Sequence, residues 1–320
     1  MTRTTCHRVL AATTIATVIA ATAHAGGYLW MGSEFVTEGT IYRYNIDLGT
    51  IDLSISPQVP PGGTHWNNMA CDGTHLYIGT PTTQYVGVLD ALSGRLLDEH
   101  EYTPSIGGHK EDGAYRASTE SLWRVTFTNL LHEVTTGGEL VQTFTGVGAL
   151  VGLEWVGETL FATNYSGGSI GTIEFGEGQS ASFVPIPWTA GGAPAAGTLG
   201  ALAYDADEEQ LYLMTYNDQR LYSVSVQGGE ATAELVAELG NLGMPAGVLV
   251  DGMGWAAACG GEPCAEDLSG DGVVDGADLG LLLAAWGPCA GCCPEDFNRS
   301  GDVDGADLGT LLAAWGACVR

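Results

Sequence analysis

The chain is almost without lysine. Lys110 is the single one in 320 residues, and Lys and Arg together number 10 against 38 Asp and Glu, a formal net charge of −28. Nucleic acids and anionic membrane surfaces are gripped by basic patches that displace counterions, so neither is expected as a partner. Beyond the N-terminal region no run of about 18 apolar residues occurs, so no membrane span is expected. Histidine stops at His132. The catalytic phrases Gly-x-Ser-x-Gly and His-Glu-x-x-His and the glycine-rich phosphate loop are all missing. Disorder is excluded as well, because 45% of the residues are hydrophobic and eight are tryptophan.

Glycine is plentiful: 48 residues, against a usual share of ~7%. Glycine supplies turns and weakens helix interiors, so short elements joined by many tight turns are expected. Residues 1–25 read differently. Arg3 and Arg8 give a basic start, Val9 to Ala21 is apolar and Thr-rich, and Ala23-His24-Ala25 is a small-x-small cleavage site. That is the layout of a secretory signal peptide, and it places the protein outside the cell or at its surface.

Export changes how the cysteines read. Cys6 leaves with the signal and Cys71 stands alone. Cys259, Cys264, Cys289, Cys292, Cys293 and Cys318 crowd the last 62 residues. In an exported segment this points to disulfides of open connectivity. A zinc site is the rival reading, disfavoured by the lack of histidine there.

Residues 26–258 are β-like and repetitive. An apolar phrase recurs at Tyr28-Leu-Trp30, Leu76-Tyr-Ile78, Ser121-Leu-Trp123, Leu160-Phe-Ala162 and Leu211-Tyr-Leu213. A second strand follows each about ten residues later, then a Gly- or Asp-containing turn and a third strand. In four repeats a further strand precedes the phrase, at Asn68–Cys71, Ala114–Ala117, Leu150–Leu153 and Leu199–Ala203. Four strands per 40–50 residues is the period of a β-propeller blade. Five blades are expected, six being the alternative because the spacing is uneven. Gly247-Val-Leu-Val-Asp251 reads as the strand missing from the first blade, which would close the ring and remove its sheet edges. Val88–Arg95 resembles the strand–turn–strand phrase of quinoprotein-type propellers; the resemblance speaks for the fold and carries no cofactor.

Residues 259–320 form a second unit. Asp267–Gly287 and Asp296–Gly316 match without gaps at 15 of 21 positions. Each begins with an acidic loop. Asp267, Ser269, Asp271, Asp275 and Asp278 occupy loop positions 1, 3, 5, 9 and 12 of the first, and Asp296, Asn298, Ser300, Asp304 and Asp307 those of the second. Gly272 and Gly301 sit at position 6, where the chain must turn sharply. Val273 and Asp302 sit at position 7, where the backbone carbonyl is the ligand. Hard oxygen donors at alternating positions of a tight loop suit calcium, so two Ca2+ sites are expected. Each loop runs into one helix whose apolar residues lie four to a face: Leu279, Leu282, Leu283 and Trp286, then Leu308, Leu311, Leu312 and Trp315. Gly287 and Gly316 are placed to end these helices.

Two loop–helix halves of this kind resemble the dockerin type I module. Their style and their Trp-Gly helix endings resemble exported proteins of planctomycete-type bacteria. The resemblance implies a small α-helical, EF-hand-like calcium module. It also implies a partner, a cohesin-like or other exported or cell-surface protein, read by loop positions 10 and 11. Those are Gly276 and Ala277 in the first half, Gly305 and Ala306 in the second.

In the propeller, His65, His109 and Glu111 form one conceivable metal or acid/base set, in the segments His65–Asn68 and Gly107–Asp112, both read as loops. Glu154 is placed to face the central channel. The aromatic residues read chiefly as core between blades, with sugar stacking as the alternative use. The expectation is therefore an exported, non-catalytic binding or structural protein, with a glycan as the candidate ligand. The alternative is a polysaccharide-acting hydrolase or lyase tethered by the same module.

Overall fold

The computed structural model describes residues 27–34, 39–57, 66–165, 167–194, 198–257, 266–269, 273–288, 294–297 and 302–317. Residues 1–25, read above as a signal peptide, His65, Asp271, Asn298, Ser300 and the six C-terminal cysteines lie outside the described residues.

The described residues up to Ala257 hold twenty strands. Blade 1 contributes β1 (Gly27–Glu34), β2 (Ile41–Asn45) and β3 (Thr50–Ile55). Blade 2 is β4 (Asn68–Cys71), β5 (His75–Gly79), β6 (Tyr85–Asp90) and β7 (Leu96–Glu101). Blade 3 is β8 (Lys110–Arg116), β9 (Ser121–Thr126), β10 (Leu130–Thr135) and β11 (Leu140–Thr145). Blade 4 is β12 (Leu150–Val156), β13 (Thr159–Asn164), β14 (Ser169–Phe175) and β15 (Ala181–Ile186). Blade 5 is β16 (Leu199–Asp205), β17 (Gln210–Thr215), β18 (Arg220–Gln227) and β19 (Glu230–Glu238). The last strand, β20 (Leu249–Ala257), pairs antiparallel with β1 and completes blade 1 as β20-β1-β2-β3. Five four-stranded antiparallel sheets thus form a closed ring: a five-bladed β-propeller. The six-bladed alternative falls, because β20 joins blade 1 and begins no sixth blade.

Within a blade the middle strands are covered on both faces, which is why they read as continuous apolar runs. Ser121–Thr126 is buried throughout, while the outermost Leu96–Glu101 is almost wholly exposed and carries three acids. Charge on such an edge discourages pairing with other chains. The core lies between blades as five apolar layers. Trp30, Trp66 and Met69 join blades 1 and 2; Tyr77, Val86 and Leu122 join 2 and 3; Trp123, Trp155 and Phe144 join 3 and 4. Ile170, Leu202 and Leu213 join 4 and 5, and Met31, Met214 and Met253 join 5 and 1. Trp30 is fully buried, and its indole N–H donates to the Ala91 carbonyl at 2.7 Å. Truncating such a residue to alanine costs about 3–5 kcal/mol. Most tryptophans therefore serve the inter-blade core.

The sequence boundaries shift at two places that matter. The segment read as a loop up to Asp112 is strand from Lys110 onward, and the closing strand runs to Ala257 instead of stopping at Asp251. Alternation is masked at both places by β-bulges, which bury Lys110, Glu111 and Asp112 in succession on β8 and Asp251 on β20.

The C-terminal unit has two short helices, α1 (Gly276–Ala284) and α2 (Gly305–Ala313). Four two-residue strands tie the halves crosswise: β21 (Val273–Val274) pairs with β24 (Gly316–Ala317), and β22 (Gly287–Pro288) with β23 (Asp302–Val303). Each loop is thereby joined to the chain just past the other half's helix. Val274, Leu282, Val303 and Leu311 are buried at the centre. The four-residue apolar faces expected from periodicity are only partly used. Leu279 and Leu308 are half-buried, and Leu283, Trp286, Leu312 and Trp315 are exposed. Nine-residue helices end before either tryptophan, and loop valines fill the space instead. Helix capping differs too. Ala285 and Ala314 are the C-caps, while Gly287 and Gly316 adopt φ of 124° and 132° inside the crosswise strands.

Candidate functional site

The five innermost strands, β4, β8, β12, β16 and β20, surround the channel. Four of them break register near their beginnings: β8 between Lys110 and Gly113, β12 between Leu150 and Gly152, β16 between Leu199 and Leu202, and β20 at Asp251. A bulge frees backbone groups from the ladder and re-aims side chains, and bulges concentrate beside functional sites. Just past these bulges, amides on the inner edges of three strands converge on one carboxylate. Asp112, fully buried, accepts from Leu153 N and Leu202 N at 3.2 Å each and from Met253 N at 3.3 Å. One side chain of blade 3 so ties blades 4, 5 and 1 at the axis. Burial pushes its carboxyl well above the usual range, against these amides and that of Gly113, which favour the anion. The strands approach closely here: a Cβ at Gly152 would overlap the Gly200 carbonyl oxygen.

Above this hub lies a cavity of about 270 Å3. Its floor comes from the bulged strands and their lead-ins: His109, Glu111, Val151 and Asp251. Its rim is Phe127, Thr128, Tyr165 and Tyr216, from the turns that follow β9, β13 and β17 in three consecutive blades. The Phe127 and Tyr165 rings meet edge to face with centroids 5.0 Å apart, and Tyr165 meets Tyr216 at 6.4 Å.

The floor is a hydrogen-bonded chain of acids. His109 Nδ1 lies 2.7 Å from Glu111 Oε1. The Asn67 amide donates to Glu111 Oε2 at 3.3 Å and to Asp251 Oδ2 at 3.5 Å. Burial, then the charge and hydrogen bond of Glu111, hold the Asp251 carboxyl well above the ordinary aspartate range. Asp251 Oδ1 and Asn67 Oδ1 are buried with no hydrogen-bond partner among the described residues. Such a floor can hold and exchange a proton, or receive a donor from a ligand.

Of the propeller residues singled out from sequence, His109 and Glu111 do come together; His65 lies outside the described residues. Glu154 is half-buried on β12, raised by burial and by Asp112, and does not line the cavity. Asn67, Asp251 and the aromatic rim went unrecognised. The rim had a signal: Thr126-Phe127, Asn164-Tyr165 and Thr215-Tyr216 each put an aromatic residue just past the second strand of a blade. On the other side of β8, Lys110 is buried with its Nζ 6.0 Å from the Tyr102 ring centroid. Burial and the neighbouring Arg124 lower its pKa to about 8. Cys71 is a free thiol pushed upward by burial, hence a poor nucleophile.

In the C-terminal unit, Ser269 links loop positions 1, 3 and 12. Its hydroxyl donates to Asp267 Oδ1 at 3.2 Å and its amide to Asp278 Oδ1 at 2.8 Å. Asp278 and Asp307 are fully buried and close capping boxes with Asp275 and Asp304, the N-caps of α1 and α2. Asp278 accepts from Asp275 N at 2.7 Å, and Asp307 from Asp304 N at 2.9 Å. Buried carboxylates beside further hard-oxygen donors are a donor set that fits a calcium ion. Val273 and Asp302 stand on the crosswise strands and Asp296 is buried. Gly276, Ala277, Gly305 and Ala306 are all exposed in the first turns of the helices. Among the described residues no three acidic or histidine side chains converge as a complete metal cage, and the position-5 residues, Asp271 and Ser300, lie outside them.

No protein-family model and no curated protein matches the chain. Solved structures of similar outline include a glutaminyl cyclase of Myxococcus xanthus, 15% identical over 62% of this chain and 84% of that one, with a TM-score of 0.46. A chain of a nidogen/laminin complex is 12% identical over 72% and 98%, also at 0.46, and U3-55K is 14% identical over 67% and 82%, at 0.42. With TM-scores below 0.5 these likenesses decide nothing about this chain. Among the described residues no helix is long and apolar enough to cross a membrane.

Proposed function

We propose that this is an exported binding protein in which a propeller displays a small-ligand pocket at its channel mouth. The C-terminal unit is a calcium-dependent attachment module of dockerin type, docking to a cohesin-like or other exported or cell-surface protein. The observation that carries the attachment half is the duplication: two acidic loops in one register, each with a buried position-12 aspartate, cross-tied so that neither half is complete alone. Asp267, Ser269, Asp271, Asp275, Asp278 and the Val273 carbonyl would hold one ion. Asp296, Asn298, Ser300, Asp304, Asp307 and the Asp302 carbonyl would hold the other. The ion offsets the repulsion among the acids of each loop. Gly276, Ala277, Gly305 and Ala306 form the docking surface, and Trp286 and Trp315 are exposed in the same unit.

The test is calorimetry and thermal denaturation of the full chain with calcium and with chelator. Two bound ions, and a rise in melting temperature that Asp278→Ala with Asp307→Ala removes, are expected. A chain indifferent to calcium refutes the module. One observation favours the enzyme reading: the His109–Glu111 pair, beside an Asp251 carboxyl that burial holds above the ordinary aspartate range, is equipped for acid/base chemistry. Turnover of a polysaccharide panel that His109→Gln abolishes would select it.

A further inference from the structure

We infer that the channel-mouth cavity binds a small primary alkylammonium ion, with the ammonium on the Asp251 carboxyl and the alkyl chain against the aromatic rim. This deepens the binding reading above and rests on it.

Size comes first. Pockets for drug-sized ligands run from about 300 to 1,000 Å3, and this one, at about 270 Å3, takes a ligand of a few heavy atoms. Charge comes second. His109 and Asn67 engage the two oxygens of Glu111. Asp251 lines the cavity, is 2% exposed, and leaves Oδ1 without a hydrogen-bond partner among the described residues. A buried acceptor without a donor costs about 1–3 kcal/mol, more if charged. The ligand that relieves it must bring N–H or O–H groups, and beside two acids a positive one is favoured over a neutral one. An anion would meet two acids and no lysine or arginine among the lining residues.

The walls then choose among cations. Phe127, Tyr165 and Tyr216 present a continuous edge-to-face aromatic rim. Ring faces attract a cation within about 6 Å, and ring bodies bury alkyl carbon. A divalent metal ion would gain nothing from this rim. It needs six or more oxygens close by, and these three groups do not gather into a metal cluster. A quaternary ammonium would suit the rings but has no N–H for Asp251 Oδ1. A primary ammonium on a short chain satisfies both halves.

The test uses the full-length protein, calorimetry, and three probes at matched ionic strength: n-butylammonium, its neutral counterpart n-pentanol, and a neutral disaccharide. Saturable binding of butylammonium at least ~10-fold tighter than pentanol is expected. Asp251→Asn should weaken it at least ~10-fold, and Tyr165→Ala should weaken butylammonium and pentanol alike, with circular dichroism confirming that both variants are folded. A capped peptide with one lysine separates sources: binding as tight as the free amine assigns the pocket to a lysine side chain, and weaker binding to a free small amine. Pentanol equal to butylammonium, or an unaffected Asp251→Asn protein, overturns the inference. Disaccharide binding lost in Tyr165→Ala, with no amine binding, leaves the pocket reading standing and removes the ammonium. No binding of any probe removes both.

Discussion

Asp112 is predicted to be the clip that holds the propeller's hub, and its removal should cost more than that of any other single carboxylate. Truncation to alanine strands the amides of Leu153, Leu202 and Met253, all inside the ring. A buried donor left without an acceptor costs about 1–3 kcal/mol. Three therefore cost about 3 kcal/mol at the low end. Relief of the acid's own desolvation, which burial shows by raising its pKa, offsets part of a larger sum, so about 3–5 kcal/mol is expected. For a domain of 150–250 residues each kcal/mol moves the melting temperature by about 2–4 °C, which gives a fall of roughly 10 °C. The assay is thermal and urea denaturation of Asp112→Ala and Asp112→Asn beside the wild type. The asparagine keeps one acceptor oxygen and should fall between. An alanine variant melting within about 3 °C of wild type would refute the hub argument, because the three amides would then have found other partners at no cost.

The remaining predictions concern the other buried charges. Asp251, Glu154 and Asp112 are all raised by burial, so the folded state binds more protons than the unfolded chain above about pH 4. Stability is then fullest near the unfolded carboxylate range and is lost as pH rises toward the folded values. The melting temperature should fall between pH 5 and pH 8, and less steeply in Asp251→Asn; a rise over that window contradicts it. Lys110 runs the opposite way in sign, being lowered to about 8 from 10.5. Its burial penalty is complete below pH 8 and fades toward pH 10.5, so Lys110→Met should raise the melting temperature at pH 7 and lose that advantage at pH 10.5. An unchanged or lower melting temperature at pH 7 would mean that the ammonium is paired.

Much of this architecture is written in local sequence. The apolar phrases at Tyr28, Leu76, Ser121, Leu160 and Leu211 each became the second strand of a blade, because a strand covered on both faces needs an unbroken apolar run. The turn glycines fell between second-from-outer and outer strands as expected. Duplicated loop register likewise marked Asp267 and Asp296 as equivalent before any fold was known. The pocket was less legible. His109 and Glu111 are two residues apart and suggest each other, whereas Asn67 and Asp251 are 184 residues apart, and only ring closure makes them neighbours.

The sequence by itself determined the elements: repeating strands, tight glycine turns, and two acidic loop–helix halves, all set by short-range periodicity and turn chemistry. The tertiary structure decided the blade count, since that depends on which partner β20 takes and not on β20 itself. It decided that Lys110, Glu111 and Asp112 are innermost strand, because a bulge hides alternation from any linear reading. It also decided that Leu283 and Trp286 stay exposed, because nine-residue helices share their small core with loop valines. Above all it made the site, where side chains from blades 1, 2 and 3 meet at an axis that no single blade contains.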